Sequence, residues 1–159
     1  MDETEHEDET PKERADRELI ELLNELRVVL PGVTVLLAFL LAVPFANGWT
    51  RVTSFQRDVF VVAFLSTAVS VALLTAPSSY HRLRSRQDDK EHMVKIGNRL
   101  SLAGIAASAV SLEAVVVLVM DSVVSRGAAV AAAAGLFAVI ALLWYGLPLL
   151  AALRDRSAR

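Results

Sequence analysis

A chain of 159 residues that is 54% hydrophobic and only 21% charged is more apolar than a soluble domain of that length. Its formal net charge of -2 averages over segregated blocks, since eleven of the eighteen acidic residues precede position 26. The absence of Cys excludes a disulfide framework, a thiolate metal site, an iron–sulfur cluster and a Cys nucleophile.

Residues 1–9, MDETEHEDE, are too polar to bury a core and are expected to be a disordered acidic tail; an acidic start also lacks the basic region of a cleavable signal peptide. Residues 10–27 read as a cytoplasmic amphipathic helix. Thr10 is placed as N-cap, Pro11 at the first helical position and Glu13 three residues after the cap, a capping-box pattern. Leu19, Leu22, Leu23 and Leu26 then recur at helical spacing and form one apolar stripe on a charged cylinder. The Glu and Asp content of this helix disfavours an anionic membrane surface, so the stripe is expected to pack on the chain itself or on another copy.

Four apolar runs follow, at 28–45, 59–76, 100–120 and 128–153. Each has about 18 residues or more, which at ~1.5 Å per residue approaches the ~30 Å hydrocarbon thickness of a bilayer. The predicted fold class is therefore all-α: a polytopic membrane protein with a four-helix transmembrane domain over 28–153 and a basic tail over 154–159. Pro31 and Gly32 are expected to bend or loosen the first crossing. Of the sixteen Lys and Arg residues, thirteen fall in the N-terminal segment, the second-to-third connection and the C-terminal tail. Arg51, Arg57 and Arg126 fall on the other side, so both termini are expected in the cytoplasm and the protein in the bacterial inner membrane.

One carboxylate interrupts the third run. Glu113 lies about fourteen residues, roughly 21 Å, past Arg99 and so deep in the bilayer, where a charged side chain costs about 2.5–3.5 kcal/mol on insertion scales. No basic residue shares its depth, so a neutral carboxyl held by a hydroxyl or a backbone carbonyl is expected. Ser66 and Thr67 on the second helix are candidates for a proton or ion site with it. At about 100° per residue, Gly104, Ser108 and Ser111 share one face of the third helix, and Glu113 points nearly opposite. Those three residues, with Gly127, Ala131 and Gly135 on the fourth helix, are predicted to allow close helix packing.

Other chemistry is not expected. His6, His81 and His92 lack the spacing of a helical metal site, and there is no phosphate-cradling loop, nucleophile elbow or base-reading module. The stretch SSYHRLRSR places His81, Arg82, Arg84 and Arg86 where they can meet lipid headgroups. An enzyme, a cofactor, a metal and a nucleic-acid partner are not expected; the expected partners are the lipid bilayer and either further copies of the chain or another membrane protein. A structural or accessory membrane component is the leading expectation, with a small ion or proton-coupled transporter or channel using Glu113 as the alternative.

The stretches ELLNELRVVLPGVTVLLAFLLAVPF, FQR, APSSYHRLRSR and NRLSLAG resemble a family of small actinobacterial membrane proteins of uncharacterised function. The resemblance covers most of 19–120 and implies an inner-membrane four-helix protein. Some members carry automatic names invoking sodium–proton antiport. Arg27, Pro44, Gln56, Arg57, His81, Arg82, Asn98 and Arg99 belong to the matching stretches, and the resemblance directs attention to them at the two interfaces.

Overall fold

A computed structural model of the chain describes residues 11–84 and 90–146, with side chains described at 17, 20–79 and 94–144. Among these residues are four long helices: α1 (Pro11–Ala42), α2 (Ser54–Arg84), α3 (Lys90–Val123) and α4 (Arg126–Ala141). A π-helical turn, Leu142–Gly146, continues α4. Two 3₁₀ turns, Val43–Phe45 and Trp49–Arg51, connect α1 to α2. Between them Gly48 has φ 111°, a left-handed conformation that a Cβ disfavours.

Four stretches are long and apolar enough to cross a membrane: Ile20–Phe45, Ser54–Ser79, Val94–Val123 and Arg126–Trp144. No more than 28% of the most apolar window of any of them is buried within the chain. Phe39, Leu65 and Phe137 are among the large apolar side chains left exposed. Water would penalise such a surface, whereas hydrocarbon removes the penalty, as in a multi-pass membrane protein.

The helices run longer than the apolar runs that reveal them. Position 27 marks a change of composition, and α1 passes through it without a break, so residues 11–27 and the start of the first apolar run lie on one helix. Neither Pro nor Gly stands between Pro11 and Pro31 to stop propagation. Likewise α3 begins at Lys90, ahead of the apolar run that starts at 100, and α4 gives way to its π turn at Leu142, within the run 128–153. The expected tails, 1–9 and 154–159, and the Thr10 cap lie outside the described residues.

The described residues fall into two compact units. The first joins the chain up to Ala42 with Ser66–Ser108; the second joins Val43–Leu65 with the residues from Ala109 onward. In the first unit, the buried positions of α1 are Leu26, Val33 and Leu40, seven residues apart, with Leu22, Val29 and Leu36 half-buried between them. This alternation of fours and threes is the seam of a coiled-coil-like contact. Leu26 and Val33 form a core with Leu74, to which Val29, Leu30, Val71 and Ile105 add partly buried surface. Pro31 and Gly32 are exposed, off that seam. Pro31 lacks the N–H that would reach the Arg27 carbonyl, and Thr34 Oγ1 donates to the carbonyls of Leu30 and Pro31 at 3.0 and 2.9 Å.

A matching seam runs along α2 through Phe60, Ala63, Thr67, Ser70, Leu74 and Pro77, all buried. Its counterpart on α3 is built from small residues at the same spacing: Gly97, Ser101, Gly104, Ser108 and Ser111. Within the first unit, Gly104 is closed over by Leu74, and Ser70 Oγ donates to the Gly104 carbonyl at 2.7 Å. Within the second unit, Ser111 Oγ donates to the Ala63 carbonyl at 3.0 Å, and both residues are fully buried. Small residues thus bring each hydroxyl within reach of a neighbouring backbone, the pattern by which membrane helices associate.

A Cβ on Gly104 would lie 2.8 Å from both Cγ and Cδ2 of Leu74 and 3.3 Å from Leu73 Cβ. Gly104→Ala is expected to destabilise the protein by about 1–3 kcal/mol, the usual cost of overpacking. A Cβ on Gly135 meets nothing within 4 Å, so Gly135→Ala is expected to be neutral or to stabilise by up to ~1 kcal/mol. Unfolding in mixed detergent micelles with increasing dodecyl sulfate reads both, and a Gly104→Ala midpoint equal to wild type would contradict this packing.

Candidate functional site

The polar groups of the second unit fall into two sets, one at the helix ends and one inside the span. At the ends, α2 opens with a capping box that is legible in the sequence as Thr-x-x-Gln. Thr53 Oγ1 accepts from the Gln56 N–H at 3.2 Å, and Gln56 Oε1 accepts from the Thr53 N–H at 3.0 Å. The other end of the same amide, Gln56 Nε2, donates to Asp121 Oδ2 at 2.9 Å, 65 residues away on α3. The remaining carboxylate oxygen, Asp121 Oδ1, accepts from Arg126 Nε. The Arg126 guanidinium lies 3.6 Å from the centre of the Phe55 ring, within cation–π range.

This network closes on itself. Asp121 is nearly buried, with 6% of its side chain exposed, while Arg126 is 55% exposed and presents its outer face to solvent. Ser125 caps α4 beside it by accepting from the Ala128 N–H at 3.2 Å. Trp49 packs edge-on against Phe60, with ring centroids 4.8 Å apart, and Phe60 stacks with Phe64 at 6.1 Å. Trp49 is thus part of the packing at the start of α2. Nothing in this cluster has the geometry of a reaction centre; it satisfies a buried carboxylate and fixes the ends of three helices.

Inside the span, Glu113 lies on α3 among apolar residues, with Ala109, Val110, Val116 and Val117 one turn to either side. The residue is half-buried, and its Oε1 is a buried atom without a hydrogen-bond partner among the described residues. Among the described residues no hydroxyl or carbonyl is hydrogen-bonded to that atom. Ser66 and Thr67 belong to the first unit, while Glu113 belongs to the second. Thr67 is fully buried on the α2 seam, Ser66 is half-buried, and neither is without a partner.

The other residues singled out from sequence divide by helix. On α3, Gly104 and Ser111 are buried at helix contacts, and the half-buried Ser108 donates to the Ile105 carbonyl of its own helix at 2.7 Å. On α4, Gly127, Ala131 and Gly135 are all exposed, and the buried residue is Ala129. The small-residue face expected to pack there is therefore open in the single chain, because Ala129 turns a different face inward. His81, Arg82 and Arg84 lie on the last turn of α2 with side chains outside the described residues, as is the whole of Arg86. No group of three or more His, Cys, Asp or Glu residues that could hold a metal occurs among the described residues.

Gln56, Asp121 and Arg126 form the cluster that local reading of the sequence does not assemble, although the Thr-x-x-Gln spacing marks its first half. Asp121 alone bonds to both of the others, so Asp121→Ala is expected to lower the thermal midpoint in detergent more than Gln56→Ala or Arg126→Ala does. Midpoints from intrinsic fluorescence would check the ranking, and a larger loss for Arg126→Ala would reverse it.

A family model described as a family of unknown function, DUF6328, matches residues 8–148. No curated protein and no solved structure matches the chain.

Proposed function

Because the chain belongs to the DUF6328 family, whose function is unknown, we propose a role read from its own residues. It is a non-enzymatic, multi-pass component of the bacterial plasma membrane, with both termini in the cytoplasm, that assembles with further copies of itself or with another membrane protein. The observation that carries this reading is the buried Glu113 Oε1 without a partner. A polar atom left unsatisfied in an apolar surround is costly, and hydrocarbon offers it nothing. A helix from another chain that brings a polar side chain to this flank of α3 removes the cost. The exposed small residues of α4, Gly127, Ala131 and Gly135, leave room for a second close approach of the same kind.

The same orphaned oxygen supports a second reading, in which Glu113 exchanges protons or ions in a small transporter. A single carboxyl with only apolar residues one turn away on its own helix favours the first. Glu113→Gln keeps a group able to donate and accept, so assembly should survive it, whereas Glu113→Leu should weaken assembly. Native mass spectrometry in mild detergent reads this, and equal assembly of the two variants would sink the tie. Proton-driven cation flux in liposomes that disappears in Glu113→Gln would instead favour transport.

Orientation follows from the distribution of Lys and Arg. Because the chain has no Cys, Thr50→Cys and Lys95→Cys each introduce one label site. In intact cells Thr50→Cys should react with an impermeant maleimide and Lys95→Cys should not; the opposite result would invert the topology.

A further inference from the structure

Within the first unit, α1 and α2 line an open groove of ≈ 480 Å³. Its lining mixes Leu23, Leu26, Leu30 and Leu74 with the polar Arg27, Thr75, Ser78 and Ser79. Arg27 is the last basic residue before the first apolar run, and Ser78 follows the second run directly after Pro77. The groove therefore straddles the level at which both helices change from apolar to polar, where the headgroups of a bilayer lie.

The polar groups are suited to an anion. Among the described residues nothing pairs with the exposed Arg27 guanidinium, and it is free to fork onto two oxygens of a phosphate. Ser78 is exposed beside the groove and can add a donor. Thr75, whose hydroxyl already donates to the carbonyls of Val71 and Ala72 at 2.9 and 3.1 Å, adds polar surface without a spare proton. A soluble anion would leave the half-buried Leu23 and Leu30 uncovered, and a hydrocarbon chain alone would leave the arginine unused.

We infer that this groove holds one acidic phospholipid, with its phosphate against Arg27 and Ser78 and an acyl chain along the half-buried Leu30, above the buried Leu26 and Leu74. The inference rests on the membrane reading of the chain and is independent of assembly through Glu113. It makes the lipid a bound ligand of the α1–α2 contact, set apart from the general solvent of the four spans.

The test uses the full chain in mild detergent, supplied with dioleoylphosphatidylglycerol or dioleoylphosphatidylcholine, and reads lipid retained per chain by native mass spectrometry. Phosphatidylglycerol should bind roughly tenfold more tightly than phosphatidylcholine, and Arg27→Gln should abolish that preference. Leu30→Trp, which fills the groove without changing charge, should lower retention of either lipid. Lys95→Gln removes another exposed charge, outside the groove, and should change nothing. Wild-type preference in Arg27→Gln, or the same loss in Lys95→Gln, overturns the proposal; so does displacement of the lipid by millimolar inorganic phosphate, which would point to a free anion. Should Arg27→Gln fail to fold, undiminished retention by Leu30→Trp overturns it alone. Glu113→Leu should keep the lipid, so that loss of assembly and loss of the groove are told apart.

Discussion

The constraint on which the rest depends is that apolar rods in an apolar solvent gain little by touching one another. Leucine prefers hydrocarbon as well as it prefers leucine, so contact must come from close packing and from polar groups that lipid cannot satisfy. The meeting of α2 and α3 shows both. Gly104 removes the side chain that would hold α3 away from Leu74, and the Ser70 hydroxyl then reaches the Gly104 carbonyl. The Ser111 hydroxyl reaches Ala63 in the same manner. Such bonds are modest, averaging about 0.6 kcal/mol in membrane proteins, so the absence of bulk beneath them matters as much as the bonds.

Proline placement follows the same logic. Pro31 and Pro77 both lie inside helices. Pro31 lies off the Leu26–Val33–Leu40 seam, so the missing hydrogen bond does not disturb the packed side of α1. Pro77 instead lies on the buried side of α2, where the position of a Cβ on Gly97 falls 3.7 Å from the Pro77 ring carbon Cβ, an ordinary contact. Hydroxyls donate to nearby carbonyls at both places: Thr34 around Pro31, and Thr75 and Ser79 around Pro77. The carbonyls that the two rings leave without an amide donor are those of Arg27 and Leu73, and these hydroxyls bond their neighbours instead.

Much of this was legible from residues alone because it is periodic or cumulative. The four spans follow from run length and hydropathy, and the shared face of Gly104, Ser108 and Ser111 from their angular spacing. Continuity of α1 was not legible, because a change from charged to apolar composition looks like a boundary although the backbone has no reason to stop there. The Gln56–Asp121–Arg126 cluster was not legible either: its first half is a local capping pattern, but its second half joins positions 65 residues apart, and no periodicity encodes that pairing. Gly127, Ala131 and Gly135 show the converse, a face whose spacing suits a helix contact but which this chain leaves uncovered. Spacing can say that a helix fits there, without saying whose helix it is.

The Gln56 side chain links two features that sequence order keeps apart. Its oxygen completes the first turn of α2 and its nitrogen holds the last turns of α3 through Asp121, so the two ends cannot fray separately. An opening that frees the start of α2 also strands a carboxylate. Amide protons at these two termini should therefore exchange with deuterium as one group, slower than the tips of helices in a chain of this size would otherwise allow.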